Sequence, residues 1–426
     1  MSKLELLAPA GNLLKMKTAL AYGADAVYLG IPDFSLRVRI NDFDLPGVAE
    51  AVKYAHRLKK KVYVTINIFA HNKHLQKLPA YLKQLKKFKV DALIISDPGI
   101  IALVKKYWPS AEIHLSTQAN CTNTEAVKFW AKQGSKRIIL GREVTLQEIK
   151  EIHRAAPKVE LEYFIHGAMC MAYSGRCFLS KLIVDRSANE GDCAQPCRWE
   201  YDLAEYRLKT GGYDEELELV EERHGAYLLN SKDLCLIKYL KELKAAGIIS
   251  FKIEGRAKSV YYQATVVGIY HRALDLLNKK LSAPKLKKEL AHLYSELETK
   301  LVHRGYTPGF LLGTKADQNI INSHNSSAWE FCGQVIETKL SFAKKLNLKN
   351  TVIFQVHNTI KVGEEIEIIR PDYDIIKIRL KKLWDAKTGR EIKEAHGGGG
   401  GQIAVLELSA AVGPVPELTV IRRKIK

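Results

Sequence analysis

Four of the seven cysteines crowd into one stretch, Cys170-x6-Cys177-x15-Cys193-x3-Cys197, and a fifth, Cys235, follows the segment Asn230-Ser-Lys-Asp233. Gly167, Gly175, Gly191 and Pro196 turn the chain around them. The chain reads as a cytoplasmic protein, where disulfides are disfavoured. Two readings remain: thiols that pack, or thiolates that converge on a metal. Free cysteine is often buried as a small hydrophobe, but packing gives no reason for one glycine-rich insertion to carry four thiols. Zinc sites use paired C-x2–4-C knuckles, and only Cys193-x3-Cys197 has that form. Thiolates drawn from several loops suit an iron–sulfur cluster, whose larger core accepts separated ligands. The spacing favours the cluster and leaves zinc open. Cys121 and Cys332 read as packing residues.

The elements that must position these thiols are βα units. Short β-branched runs alternate with amphipathic stretches at Leu4–Leu7, Ala26–Gly30, Lys61–Ile68, Ala92–Ser96, Glu112–Ser116, Arg137–Gly141, Val159–Ile165, Ala226–Asn230 and Ser250–Glu254. This alternation marks a parallel sheet. Eight or nine such runs predict an α/β fold, a TIM-like (β/α) barrel; an open doubly wound sheet would carry G-x-G-x-x-G after a strand, and none does. The cysteines occupy an insertion at about 166–225, far longer than an ordinary connection and therefore functional in expectation. Barrel sites gather at the C-terminal ends of strands. Here those ends supply Asn67, Gln118, Arg142, His166, Ser231, Lys232, Glu254 and Arg256, with Arg176 between two of the cysteines.

Past the barrel, helices are expected over Ser259–Leu277 and from about Pro284 to His303. The domains are read as 1–313, a polar linker at 314–330, and 331–426. The last contains only short strands, at Val335–Glu337, Thr351–Gln355, Glu365–Ile369, Ile375–Leu380, Gln402–Leu408 and Glu417–Arg422, and predicts a small C-terminal β-barrel. The Gly397–Gly401 run precedes a strand, not a helix, so it is a hairpin loop and no phosphate cradle.

The 426 residues carry a net charge of +19, with 46% apolar and 27% charged residues. Disorder is excluded by this composition, and no stretch approaches the roughly 20 apolar residues that cross a bilayer. From Phe331 onward there are 17 basic and 11 acidic residues, so most of the excess lies in the first 330. The charge is a distributed field and not a tail, which favours a polyanion such as RNA. Lys344, Lys345, Lys381, Lys382, Arg422 and Arg423 are candidate phosphate contacts in the C-terminal domain.

The motifs also match a known family. Glu162-Tyr-Phe-Ile-His-Gly-Ala-Met-Cys170 and Gly175-Arg-Cys-Phe-Leu-Ser180 resemble the signature of the collagenase-like peptidase family of uncertain catalytic type. So do Leu7-Ala-Pro-Ala-Gly11, Asp25-Ala-Val-Tyr-Leu-Gly30, Asn189-Glu-Gly-Asp-Cys193-Ala-Gln-Pro-Cys197-Arg-Trp199, Asn230-Ser-Lys-Asp233 and Lys252-Ile-Glu-Gly-Arg256. The resemblance runs through most of the chain. Within the family the sequence is similar to the branch that makes 5-hydroxyuridine at the tRNA wobble position. That resemblance implies a prephenate-dependent hydroxylation and a 4Fe-4S cluster on Cys170, Cys177, Cys193 and a fourth cysteine, Cys235, with Cys197 as the alternative.

Hydroxylating a pyrimidine carbon is an oxidation that side chains cannot perform unaided, so a cofactor is required. A dicarboxylate co-substrate calls for guanidinium groups. Arg176 and Arg256 are therefore expected to hold carboxylates, Gln118 and Lys232 to contact substrate, and His166 and Glu254 to act catalytically, His166 as a proton shuttle. The partners implied are tRNA and prephenate, with a paralogous subunit or a second copy of the chain as a further partner. Two competing functions are a peptidase and a non-catalytic RNA-binding subunit. Against hydrolysis, the sequence has no H-E-x-x-H, G-x-S-x-G or aspartic dyad motif.

Overall fold

The computed structural model describes residues 4–36, 42–170, 172, 176–199, 230–279, 281–313, 317–319, 324–336, 351–398, 401–408 and 412–425. These pack as two compact units. One comprises 1–12, 26–257 and 302–326; the other comprises 13–25, 258–301 and 327–426.

The first unit is a closed barrel of eight parallel strands. Its strands are β1 (Glu5–Pro9), β2 (Ala26–Gly30), β3 (Lys61–Ile66), β4 (Ala92–Ile95), β5 (Ile113–Leu115), β6 (Ser135–Ile139), β7 (Glu160–Gly167) and β9 (Ile248–Ile253). Each pairs in parallel with the next, and β9 pairs with both β7 and β1 to close the ring. A short strand β8 (Asp233–Cys235) pairs antiparallel to the end of β7, and β10 (Tyr306–Thr307) adds beside it. The eight parallel strands correspond to eight of the nine runs expected from the sequence; residues 226–229 of the ninth lie outside the described residues.

Helices α2 (Leu45–Arg57), α3 (Asn72–Phe88), α4 (Pro98–Tyr107), α5 (Thr124–Lys132) and α6 (Leu146–Ala155) connect successive strands, while the short α7 (Leu179–Val184) lies in the insertion and α8 (Leu240–Ala245) precedes β9. Local chemistry starts them where the strands end. Asp44, Asp97, Asn123 and Thr145 each accept a backbone N–H of the following first turn, and Pro46 and Pro98 occupy early positions that need no donor.

The barrel interior departs from the apolar layers usual in this architecture. Arg137 of β6 pairs with Glu5 of β1 and donates to Glu160 of β7 at 2.9 and 3.0 Å and to Glu162 at 3.3 Å. Glu162 also accepts from Ser250 Oγ at 2.9 Å and Lys252 Nζ at 2.8 Å, both on β9. Tyr63 of β3 donates to Glu5 at 2.6 Å. Side chains from five strands, opposite ones included, meet only inside a closed ring. The residue order along β7 and β9 runs this charge chain from the N-terminal end of the barrel up to Lys252.

The second unit combines α1 (Leu13–Ala21), α9 (Val260–Asn278) and α10 (Ala283–Lys300) with the C-terminal strands. Those strands form an antiparallel sheet ordered β15-β14-β20-β11-β12-β19-β16-β17, where β11 is Trp329–Val335, β12 Thr351–Val356, β14 Glu365–Arg370, β15 Asp374–Arg379, β16 Leu383–Asp385, β17 Glu391–Ile392, β19 Ile403–Glu407 and β20 Val420–Lys424. A separate pair, β13 (Ile360–Lys361) and β18 (Glu394–Ala395), stands beside it in the chain order. Cys332, Phe354, Ile366, Ile368, Leu383, Leu406 and Ile421 fill the core. Among the described residues no helix is long and apolar enough to cross a membrane.

Candidate active site

A cavity of about 370 Å³ lies in the barrel unit. Its walls come from the strands and from the segments after them: Tyr28 of β2, Thr65 of β3, Asn67, Ser116 and Gln118 after β3 and β5, Arg142 after β6, Phe164 of β7, and Lys252, Glu254 and Arg256 on and after β9. The remaining wall is the insertion, which contributes Cys170, Cys177, Cys193, Cys197 and Arg198.

Backbone geometry delivers the β9 end into this space. Gly167 closes β7 at φ +116°, and a Cβ there would stand 2.6 Å from the Glu254 carbonyl oxygen. Gly30 closes β2, where a Cβ would collide with Ser35 Oγ and approach Arg256 Nη1 to 2.8 Å. Only glycine leaves room for both approaches. Arg256 then donates to Ser35 Oγ at 2.6 Å and Thr65 Oγ1 at 3.2 Å.

The insertion is held by a few polar bonds. Asn189 Oδ1 accepts from the Cys177 amide at 3.1 Å, Ser180 Oγ accepts from the Ala194 amide at 2.9 Å, and Arg186 pairs with Asp192 at 2.9 Å. The backbone between the thiols is sharply turned, with left-handed conformations at Asp185, Gly191 and Gln195. Two sulfurs already act as acceptors: the Leu179 amide donates to Cys177 Sγ at 3.4 Å and the Gln195 amide to Cys193 Sγ at 3.3 Å. Both amides belong to the insertion itself, so the turns that carry the thiols also supply donors to their sulfurs.

All seven cysteines are free thiols. Burial pushes Cys121 and Cys332 up to about 12 in pKa, so they remain protonated packing residues as expected. Cys197 is also raised, first by burial and then by the neighbouring thiols of Cys170 and Cys193, with Arg198 and Arg304 opposing. Cys170 and Cys193 thus lie within electrostatic reach of Cys197, and all four insertion thiols line one cavity. Among the described residues no three His, Cys, Asp or Glu side chains are arranged to hold a single metal ion. The four insertion thiols line this one cavity, with backbone amides aimed at two of them.

The charged groups of the lining are mainly cationic: Arg142, Arg198, Lys252 and Arg256 against Glu143 and Glu254, an imbalance of two charges that suits anionic contents. Arg142 donates to the Ala168 carbonyl at 2.7 Å, meets Glu254 at 3.4 Å and lies 4.1 Å over the Phe164 ring. Arg198 Nε is buried with no hydrogen-bond partner. Burial and then the nearby Arg304 lower the Arg198 pKa, while Cys170 and Asp233 pull the other way.

The structure brings Cys170, Cys177, Cys193, Cys197, Gln118, Glu254 and Arg256 together on this cavity. It places four other expected residues elsewhere. Cys235 is buried on β8, paired across the ladder with His166. His166 packs at 5.4 Å from the Tyr306 ring, which stacks on His303 at 4.0 Å. The β7–β9 register shifts between Phe164 and His166, so the inward parity of Glu162 and Phe164 does not carry through to His166. Arg176 donates twice to the Gln118 carbonyl, at 2.8 and 3.2 Å, and lies over Phe69. Lys232 pairs with Asp317 at 3.3 Å.

In the second unit, Arg422 is fully buried and its donors go to Glu367 and Glu296, so it is no phosphate contact. Arg423 is paired with Glu330 and Glu364. Lys381 and Lys382 are exposed, and Lys344 and Lys345 lie outside the described residues. Two cavity residues escaped the sequence reading as site residues, Lys252 and Arg198. Lys252 sits two and four residues before Glu254 and Arg256, an inward-facing spacing for a strand, and Arg198 directly follows Cys197.

A barrel whose strand ends and inserted loop share one cavity defines an α/β enzyme-like class. Comparison identifies the lineage. Residues 11–321 match the model of peptidase family U32 and residues 327–422 that of the family's C-terminal domain, and the chain belongs to this family. It is 38% identical to tRNA hydroxylation protein P of Haemophilus influenzae, over 91% of this chain and 90% of that one. It is 36% identical to the 23S rRNA 5-hydroxycytidine C2501 synthase of Escherichia coli, over 75% of this chain and 47% of the other. A solved U32 peptidase aligns with 60% of this chain and 94% of its own at 13% identity and a TM-score of 0.39.

Proposed function

We propose that this chain hydroxylates C5 of the wobble uridine of tRNA, with a 4Fe-4S cluster on the insertion cysteines and prephenate as co-substrate. The observation that carries this reading is the cavity itself, lined by four insertion thiols together with Arg142, Lys252 and Arg256 from the strand ends. The names of the relatives, which concern RNA hydroxylation, support the substrate class. Cys170, Cys177 and Cys193 are ligands in this reading. Cys197 is preferred to Cys235 as the fourth because it shares their cavity wall. Bound there, the cluster would supply the redox capacity that the side chains lack.

The chain's own residues bind and orient. Arg256, fixed by Ser35 and Thr65, presents its guanidinium to one carboxylate of the co-substrate. Glu254, held beside Arg142, is the carboxylate placed to accept a proton in the cavity, the role first expected of His166. The target base must leave its stack to enter, and Gln118, with its amide oxygen accepting from Ser116 Oγ at 3.1 Å, offers an amide to its edge. Iron, acid-labile sulfide and an absorption spectrum on protein purified without oxygen test the cluster; about four of each per chain is expected. Nucleoside analysis of tRNA from cells lacking the protein, and of that tRNA incubated with it with and without prephenate, tests the reaction. Zinc in place of iron, or hydroxylation indifferent to prephenate, would defeat the proposal.

A further inference from the structure

Lys252 has no role in the reaction described above, yet it is the buried end of the ion chain that runs through the barrel from Glu5, Arg137 and Glu162. Its side chain is almost wholly enclosed and lines the cavity, flanked by the Tyr28 ring at 4.5 Å and the Phe164 ring at 5.4 Å. An ammonium has three donors. One goes to Glu162 Oε1 at 2.8 Å. The faces of two aromatic rings accept cationic charge but do not consume N–H donors as an anion would.

Glu162 cannot swing away, because its other oxygen holds Ser250 and Arg137, and Arg137 in turn is held by Glu5 and Glu160. The ammonium is therefore fixed before any ligand arrives, which removes the ordering cost of binding. Arg256 lies over the same Tyr28 ring, at 5.8 Å. Two cations resting on one ring are within the span of one small molecule with two acidic groups.

We infer that Lys252 is the second anion seat of the cavity, holding the ring carboxylate of prephenate while Arg256 holds the side-chain carboxylate, with Glu162 as the positioning residue of Lys252. This rests on the co-substrate reading above and goes beyond it by assigning the recognition of the second charge, which had been expected of Arg176.

The test is calorimetric binding to anaerobically purified full-length protein, with two probes. Prephenate carries two carboxylates; phenylpyruvate keeps the side-chain carboxylate and lacks the one on the ring. Wild type is expected to bind prephenate the more tightly. Lys252→Met should weaken prephenate by about 10- to 100-fold, the loss of one buried charge contact, and leave phenylpyruvate within about threefold. Lys252→Arg should restore part of the preference. A folded Lys252→Met protein that keeps the wild-type preference for prephenate would overturn the inference while leaving the co-substrate reading intact. Wild type that binds neither probe would overturn both. If Lys252→Met fails to fold because Glu162 is left unpaired, the neutral pair Glu162→Gln with Lys252→Gln removes that charge and is read in the same way.

Discussion

Each unit of this protein buries a network of ion pairs, and the two differ in whether the network ends at an opening. In the second unit, Arg422 bonds Glu367 at 2.7 Å and Glu296 at 2.8 Å, with the Tyr261 and Tyr373 hydroxyls at 3.5 and 3.4 Å. Lys300 sits 3.0 Å from the Trp329 ring centre and 3.5 Å from Glu367. Every strong donor of Arg422 is consumed among α9, α10 and the sheet. In the barrel, Arg137 plays the equivalent part among Glu5, Glu160 and Glu162, but the chain continues to Lys252 on a cavity wall. A saturated buried network joins elements, whereas one with a member on a cavity wall carries charge to a ligand. Desolvation makes both costly to assemble, and removing one partner leaves an uncompensated charge.

The largest effect should come from the thiol wall, which the second unit lacks. Cys170→Ser, Cys193→Ser or Cys197→Ala is expected to reduce bound iron and sulfide to background and abolish hydroxylation, while Cys235→Ala keeps both. Metal analysis of the four variants decides this, and iron lost from Cys235→Ala but kept by Cys197→Ala would return Cys235 to the ligand set.

Breaking the networks comes next. Arg137→Met and Arg422→Met should each destabilise by about 3–5 kcal/mol in urea unfolding, because each strands buried carboxylates. They should then diverge: the folded Arg137 variant binds prephenate more weakly, and the folded Arg422 variant binds it as wild type does. Equal binding by both would erase the distinction between the two networks. Arg256→Lys is expected to be milder, costing about tenfold in prephenate affinity, since lysine reproduces the charge but not the planar fork. Calorimetric titration measures it.

The smallest effects are in pH dependence, where one group in each unit makes stability rise with pH, in two different windows. In the barrel, the His114 hydrogen bond, then Lys136, holds Glu112 down at about 2 against the opposing effect of burial. A depressed carboxylate contributes stability above its unfolded value of 4.5, lost as the pH falls toward 2. Glu112→Gln should therefore flatten the acid limb of the stability curve. In the second unit, burial and then Arg422 lower Lys300 from 10.5 to about 8. Between those values the unfolded chain holds the extra proton, so this group makes stability rise with pH. Lys300→Met should remove that rise between pH 8 and 10. Unfolding at several pH values checks both, and a wild-type slope in either variant would show that another group is responsible.

Much of the barrel was legible because a parallel strand buried on both faces must be a short apolar run. Ala26–Gly30, Lys61–Ile68 and Ala92–Ser96 are such runs, and each overlaps a barrel strand. The three-residue strand β8 was not legible, being too short to show a period. In the C-terminal unit β13, β16, β17 and β18 were missed for the same reason. The cysteines announced themselves by residue type. Their neighbours did not: His166 and Arg176 lie inside recognisable motifs, but a register shift carries one off the inward face and a carbonyl holds the other.

The sequence by itself determined the chemistry available: which thiols exist, which strands can form, where glycine lets the chain turn, and which family it belongs to. The tertiary structure decided which of those groups meet. Lys252 and Glu162 stand 90 residues apart and become partners only when β7 and β9 pair in one register around a closed ring. Arg422 and Lys382 look alike as cations in a basic segment, yet one is enclosed among carboxylates and the other is exposed. Residue type is local and can be read along the chain. Burial, hydrogen-bond partners and access to a cavity depend on long-range pairing, which the closed barrel and the packed sheet alone supply.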